Sequence, residues 1–109
     1  MFEIRHYLTV SGRDPFEAWL DSLSNVQTEA RIAARVARLA VGNFGDCKPL
    51  RDGVWELRIH WGPGYRVYYA MAGQTVVLLL YGGDKRRQSA DISRAVEYWN
   101  DYQQGTAKS

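Results

Sequence analysis

The sequence predicts an α+β domain with an antiparallel sheet, in the order β-α-α-β-β-β-α, and three observations predict it. Two runs dense in aromatic and β-branched residues, Val54–Trp61 and Tyr65–Met71, flank Gly62-Pro63-Gly64, the signature of a hairpin. A third run, Thr75–Tyr81 (TVVLLLY), follows after a turn too short for a parallel crossover. Ahead of the hairpin, two segments carry apolar residues at helical spacing behind recognisable helix starts.

Phe2–Val10 alternates loosely and is expected to form the first strand. Asp14-Pro15-Phe16-Glu17 combines an N-cap, proline at the first helical position and glutamate three residues on. Phe16, Trp19, Leu20 and Leu23 then form the apolar stripe of a short helix. Ser24 or Asn25 can cap a longer helix to about Val41, ended by Gly42, with Ile32, Val36 and Leu39 on its buried face. Arg31, Arg35 and Arg38 form a basic stripe beside them, read as a solvated helix face.

Asn43–Asp52 reads as a loop. In the hairpin, a three-residue loop Gly62–Gly64 would set His60 opposite Arg66, Arg58 opposite Tyr68 and Glu56 opposite Ala70. Glu56, Arg58, His60, Arg66 and Tyr68 would then share a basic, aromatic-edged surface, with Trp55, Leu57, Ile59, Tyr65, Val67 and Tyr69 on the core face. The unbroken apolar run Thr75–Tyr81 suggests a central strand covered on both sides. Gly82-Gly83 ends it, Asp84–Gln88 is a basic loop, and Ser89 is placed to cap a last helix burying Ile92, Ala95, Val96 and Trp99. The expected organisation is one domain over 1–103 and a frayed polar tail over 104–109.

Composition bounds the function. Formal charge is only +2, but Lys48–Arg87 holds seven basic and three acidic residues, so +4 sits there. Arginine outnumbers lysine eleven to three, which favours bidentate phosphate recognition. The single cysteine, Cys47, excludes an internal disulfide and a cysteine-based zinc site. Two histidines without clustered carboxylates make a weak metal-ligand set, so neither metal nor cofactor is expected. No apolar run approaches the roughly 20 residues of a membrane span, and the charged, alternating N-terminus does not read as a signal peptide. A cytoplasmic protein is the expectation.

RNA cleavage by internal attack needs a base near the 2′-hydroxyl, an acid at the leaving oxygen and cations around the phosphate. Arg58 and Arg66 on adjacent strands, with Lys85 or Arg86 from the next loop, could supply the cations. His60 is the one side chain in the patch whose type titrates near neutrality; it either moves a proton or makes a routine hydrogen bond. Glu56 is a second base candidate or a salt-bridge partner of Arg58 or Arg66. Tyr68 could stack on a base or simply cover the sheet. Lys48, Arg51, Arg86 and Arg87 complete the RNA-binding candidates.

Three segments in this order resemble a known family: Leu50–Arg58 (LRDGVWELR), Gly64–Tyr69 (GYRVYY) and Gly82–Gln88 (GGDKRRQ), followed by Asp91-Ile92 and Ala95. With them, essentially the full chain is similar to RelE/ParE-type toxins of type II toxin–antitoxin systems. It is closest to the subgroup called addiction module killer proteins or HigB-like toxins. The resemblance implies a RelE-like fold and, for many members, ribosome-dependent cleavage of mRNA in the ribosomal A site; the ParE branch instead inhibits DNA gyrase. It gives Arg58 and Lys85 the roles of basic site residues and Arg66 that of holding the scissile phosphate. Glu56 stands where such enzymes can have a lysine, and the tyrosine given the role of base in the well-studied nuclease is missing near Asp91. The implied partners are a cognate antitoxin, often with a helix-turn-helix, and the ribosome with its mRNA. A non-catalytic RNA-binding module is the further alternative.

Overall fold

The computed structural model describes residues 1–107. Strand β1 (Glu3–His6) is followed by helices α1 (Pro15–Ser22) and α2 (Val26–Ala40), then β2 (Cys47–Pro49), β3 (Val54–Ile59), β4 (Tyr65–Met71) and β5 (Val76–Asp84). A 3₁₀ turn, Lys85–Arg87, leads into α3 (Gln88–Ala107). The α+β class is as expected, and both early helices begin as their caps dictate. Asp14 accepts from the Glu17 N–H with Pro15 at the first position, and Asn25 accepts from the Thr28 N–H.

The sheet order is β1-β5-β4-β3-β2, and the β2–β5 meander is antiparallel. β1 departs from the expected all-antiparallel sheet, because it pairs parallel to β5, Glu3 beside Val76 through His6 beside Leu79. Partners so far apart in sequence leave no turn signal that would reveal direction. β2 was expected as loop. Only three residues long and containing Pro49, it carries no alternation to detect, and proline is tolerated there because β2 is an edge strand. The last helix starts at Gln88, one residue before the expected cap, and is helical through Ala107, past the expected start of the tail; residues 108–109 lie outside the described residues.

The hairpin loop spans five residues, 60–64, so the register differs from the expected one: Arg58 pairs with Arg66 and Glu56 with Tyr68. Trp61 is the reason. Its indole N–H donates to Thr28 Oγ1 at 3.2 Å and its ring lies under the Arg31 guanidinium, 3.7 Å from the centroid, so the chain leaves the strand early to seat it on α2. Gly62 and Gly64 then turn back at positive φ (56° and 84°). Five and three are both odd, so the side chains within β3 and β4 keep their predicted faces, whereas His60, expected on the strand, falls in the loop.

Both faces of the sheet are covered. Phe16 and Leu20 of α1 and Ile32, Val36 and Leu39 of α2 pack on Leu57, Ile59, Val67, Tyr69, Val77 and Leu79. On the other side, Ala95, Val96 and Trp99 of α3 pack on Val54, Tyr68, Ala70, Leu78 and Leu80. The unbroken run in β5 is therefore apolar on both sides for the reason the sequence suggested. Leu57 is wholly buried in the first layer. Leu57→Ala is expected to lower stability by about 2–5 kcal/mol, measured by urea denaturation; an unchanged midpoint would refute its place in the core.

Candidate functional site

The candidate residues converge on one end of the sheet. Arg58 on β3, Arg66 on β4 and Gly83 on β5 are direct neighbours in register, with His60 just past the end of β3 and Lys85 just past the end of β5. Their side chains then divide into two groups.

The first group lies beneath α3. The face expected to be an open basic surface is a second core there, because α3 packs on it. Glu56 and Arg66 are buried, at 1% and 6% exposure, and form an ion pair with Arg66 Nε 3.0 Å from Glu56 Oε1. Gln88 Nε2 donates to the same Glu56 oxygen at 2.8 Å. Glu56 is thus the salt-bridge partner of Arg66. Arg66 Nη1 makes a long 3.4 Å hydrogen bond to the Gly64 carbonyl. A Cβ placed on Gly64 would sit 3.4 Å from Lys85 Cδ and 3.6 Å from Arg66 Nη1, so the exposed Lys85 and the edge of Arg66 both approach this glycine.

Tyr68 is fully buried, its hydroxyl without a hydrogen-bond partner among the described residues, and burial followed by the nearby Glu56 and Asp91 carboxyls raises its pKa. It covers the sheet and cannot stack on a base, which removes it from the RNA-binding candidates. Asp91, in the first turn of α3, packs so closely on Gly83 that no Cβ fits there. Burial raises its carboxyl pKa despite the opposing pull of Arg87. An acid whose folded pKa is raised contributes stability that is complete below its unfolded value near 3.9 and lost as pH rises through the folded value. Asp91→Asn is therefore expected to stabilise the protein at pH 7 and to lose that advantage near pH 4. Denaturant midpoints at both pH values check this, and a pH-independent difference would contradict it.

The second group lies at the free edge of β3. β2 stops pairing at Leu57, and beyond it the Arg58 N–H donates to the Asp46 carbonyl at 2.9 Å. The Asp46 carboxylate then holds two side chains at once. Oδ1 accepts from Arg58 Nη2 at 3.0 Å and Nε at 3.3 Å, and Oδ2 lies 2.6 Å from His60 Nε2. The His60 hydrogen bond, followed by Arg58, holds the Asp46 carboxyl below the usual range. His60 is three-quarters exposed. With Nε2 committed to a carboxylate, Nδ1 is left as the acceptor of the neutral ring. Asp46 was not anticipated; it lies in an unstructured-looking loop, and only the β2–β3 register places it beside Arg58. Arg58, His60, Asp46 and Trp61 form one wall of a cleft of about 410 Å³, with Arg31, Arg35 and Arg38 of α2 on the other.

The remaining candidates lie around the first group. Lys48 is exposed on β2, paired in register with Glu56. Arg51 is exposed and donates to Ser93 Oγ at 3.0 Å, near the start of α3. Arg86 and Arg87 are exposed in the 3₁₀ turn, where Asp84 accepts from the Arg86 N–H at 2.9 Å and pairs with its guanidinium at 2.7 Å. That bond holds the Asp84 carboxyl below its usual range. At the opposite side of the sheet, His6, Asp14 and Glu17 bring potential ligand atoms within 4.8 Å of one another, a grouping the sequence did not suggest. Asp14 is already engaged there, as the α1 cap and by His6 Nδ1 at 2.6 Å. Among the described residues no helix is long and apolar enough to cross a membrane.

Comparison with known proteins adds two findings. An uncharacterized protein of Haemophilus influenzae is 50% identical over 80 residues, covering 73% of this chain and 81% of the relative. The matched stretch of the family model, residues 18–96, takes in α2, the β2–β5 meander, the basic turn and the start of α3, and so the candidate residues from Arg31 to Asp91 but not His6, Asp14 and Glu17. On that match the chain belongs to the family described as phage derived protein Gp49-like (DUF891).

Proposed function

We propose that this protein is the toxin of a type II toxin–antitoxin module, a metal-independent endoribonuclease that cuts mRNA on the ribosome and so inhibits translation. The observation that carries the reading is the Asp46 carboxylate holding Arg58 and an exposed His60 at the sheet end where Arg66 and Lys85 also lie. In this reading His60 Nδ1 takes the proton of a 2′-hydroxyl as its oxygen attacks the adjacent phosphorus. The phosphorus–5′-oxygen bond breaks to leave a 2′,3′-cyclic phosphate, a water molecule protonates the departing 5′-oxygen, and His60 passes the proton it took to the hydroxide so formed. Arg58 and Lys85 balance the charge on the phosphate, which is why no metal is required. The ribosome holds the RNA in line, since orientation can supply about 7–11 kcal/mol of such a barrier. The proposed setting is the cytoplasm, with a cognate antitoxin covering the basic end.

A second reading, inhibition of DNA gyrase, draws on a specific observation: Arg66 and Arg58 are each already neutralised by an internal carboxylate. Toeprinting on translating ribosomes separates the two. New 3′ ends within the A-site codon, with naked RNA left largely intact, are the expected result. Intact mRNA with a rise in gyrase-trapped DNA breaks would move the protein to the gyrase-inhibiting class.

A further inference from the structure

We infer that Arg31, Arg35 and Arg38 of α2 form a track for the phosphodiester backbone of single-stranded RNA, leading it to His60 and Asp46 across the cleft. The inference rests on the reading of the protein as an RNA-acting toxin, and extends it to the cleft wall opposite Asp46, Arg58 and His60. At 100° and 1.5 Å per residue the three arginines share one helix face and form a row about 10 Å long. A run of backbone phosphates can follow such a row, whereas a single small anion cannot fill it. All three line the cleft whose other wall is Asp46, Arg58, His60 and Trp61.

The charge in this cleft is unbalanced. Four arginines face one carboxylate, Asp46, and that carboxylate is already shared by Arg58 and His60. None of Arg31, Arg35 and Arg38 has an acidic partner among the described residues; Arg31 lies over the Trp61 ring instead. A solvated helix face ordinarily offsets such charges with Glu or Asp three or four residues away. Here those positions hold Gln27, Thr28, Ile32, Ala34, Leu39, Val41, Gly42 or another of the arginines, with no acid among them. Arg31–Arg35 and Arg35–Arg38 are themselves like-charge neighbours on the helix, an arrangement that disfavours the free state and that a bound polyanion relieves. The arginine fork matches phosphate oxygens two at a time. A protein partner anchored by apolar side chains would find little purchase here. The cleft offers it only Ala34, Ile59 and a Trp61 already capped by Arg31.

The test measures binding of a short fluorescein-labelled oligouridylate by anisotropy at several salt concentrations. The proteins are the parent, Arg38→Gln, and the double variant Arg35→Gln/Arg38→Gln, with melting temperatures taken in parallel. The double variant is expected to bind about tenfold or more weakly at low salt, and its slope of log K against log salt should fall by about 1.4, at roughly 0.7 per lost phosphate contact in a single strand. Arg38→Gln, on an exposed side chain, should lose about half of that slope while folding as the parent. Unchanged affinity and slope in both variants overturn the inference. So does a parent that ignores the RNA but binds an oligoglutamate peptide through these arginines, which would make the surface a protein site. Ribosome-dependent cleavage by the same proteins keeps the two readings apart. A parent that binds RNA along the track yet makes no new 3′ ends fails the nuclease reading alone. A double variant that binds and cuts like the parent fails the track alone.

Discussion

Arg66→Ala is expected to destabilise the protein by about 3–5 kcal/mol, the range for breaking a buried ion pair by removing one partner. The variant strands Glu56, 1% exposed, with the Gln88 amide as its one remaining hydrogen-bond donor among the described residues. Against a total stability of roughly 5–15 kcal/mol for a domain, that can leave much of the chain unfolded at growth temperature. Loss of toxicity on Arg66→Ala would then report lost structure and not a lost phosphate contact. Replacing both partners, as Glu56→Leu with Arg66→Met, should be far milder, because exchanging a buried pair for apolar groups of similar volume is often close to neutral. Urea denaturation of the two single variants and the double closes the cycle. A single variant as stable as the parent would show that the ion pair is not what keeps Glu56 under α3. Arg66→Lys keeps the charge without the fork and is the better probe of function.

His60→Ala should behave in the opposite way. His60 is three-quarters exposed, so stability is expected to stay within about 0.5 kcal/mol of the parent. Ribosome-dependent cleavage, by contrast, should slow by about 10²–10⁴-fold if the imidazole takes the 2′-hydroxyl proton. Asp46→Asn is expected to reproduce part of that loss, since it frees both the ring and Arg58 from their shared anchor. Single-turnover cleavage of mRNA on stalled ribosomes reads both. Cleavage by His60→Ala at the parent rate would exclude the imidazole as the base and remove the Asp46–His60 pair from the mechanism.

Local chemistry in the sequence was enough for the elements that speak for themselves. Asp14-Pro15 and Asn25 start their helices by capping geometry, and the β3–β4 alternation divides core from polar side chains whichever odd loop length the hairpin adopts. The apolar run of β5 announced a strand covered twice. That Arg58 and Arg66 lie on adjacent strands near the hairpin end was legible for the same reason, although their direct pairing came only with the five-residue loop. Which of these side chains is free was decided only by tertiary packing. Alternation states that Glu56, Arg66 and Tyr68 share a face but not that α3 covers it, because helix docking is set by contacts between distant segments. Asp46 was brought beside Arg58 through the β2 register, a pairing of three residues too short to leave a periodic signal. The α2 arginines read as an ordinary solvated stripe until the fold placed the β3 edge opposite them. Charge spacing along a helix is local information, and concavity between two elements is not.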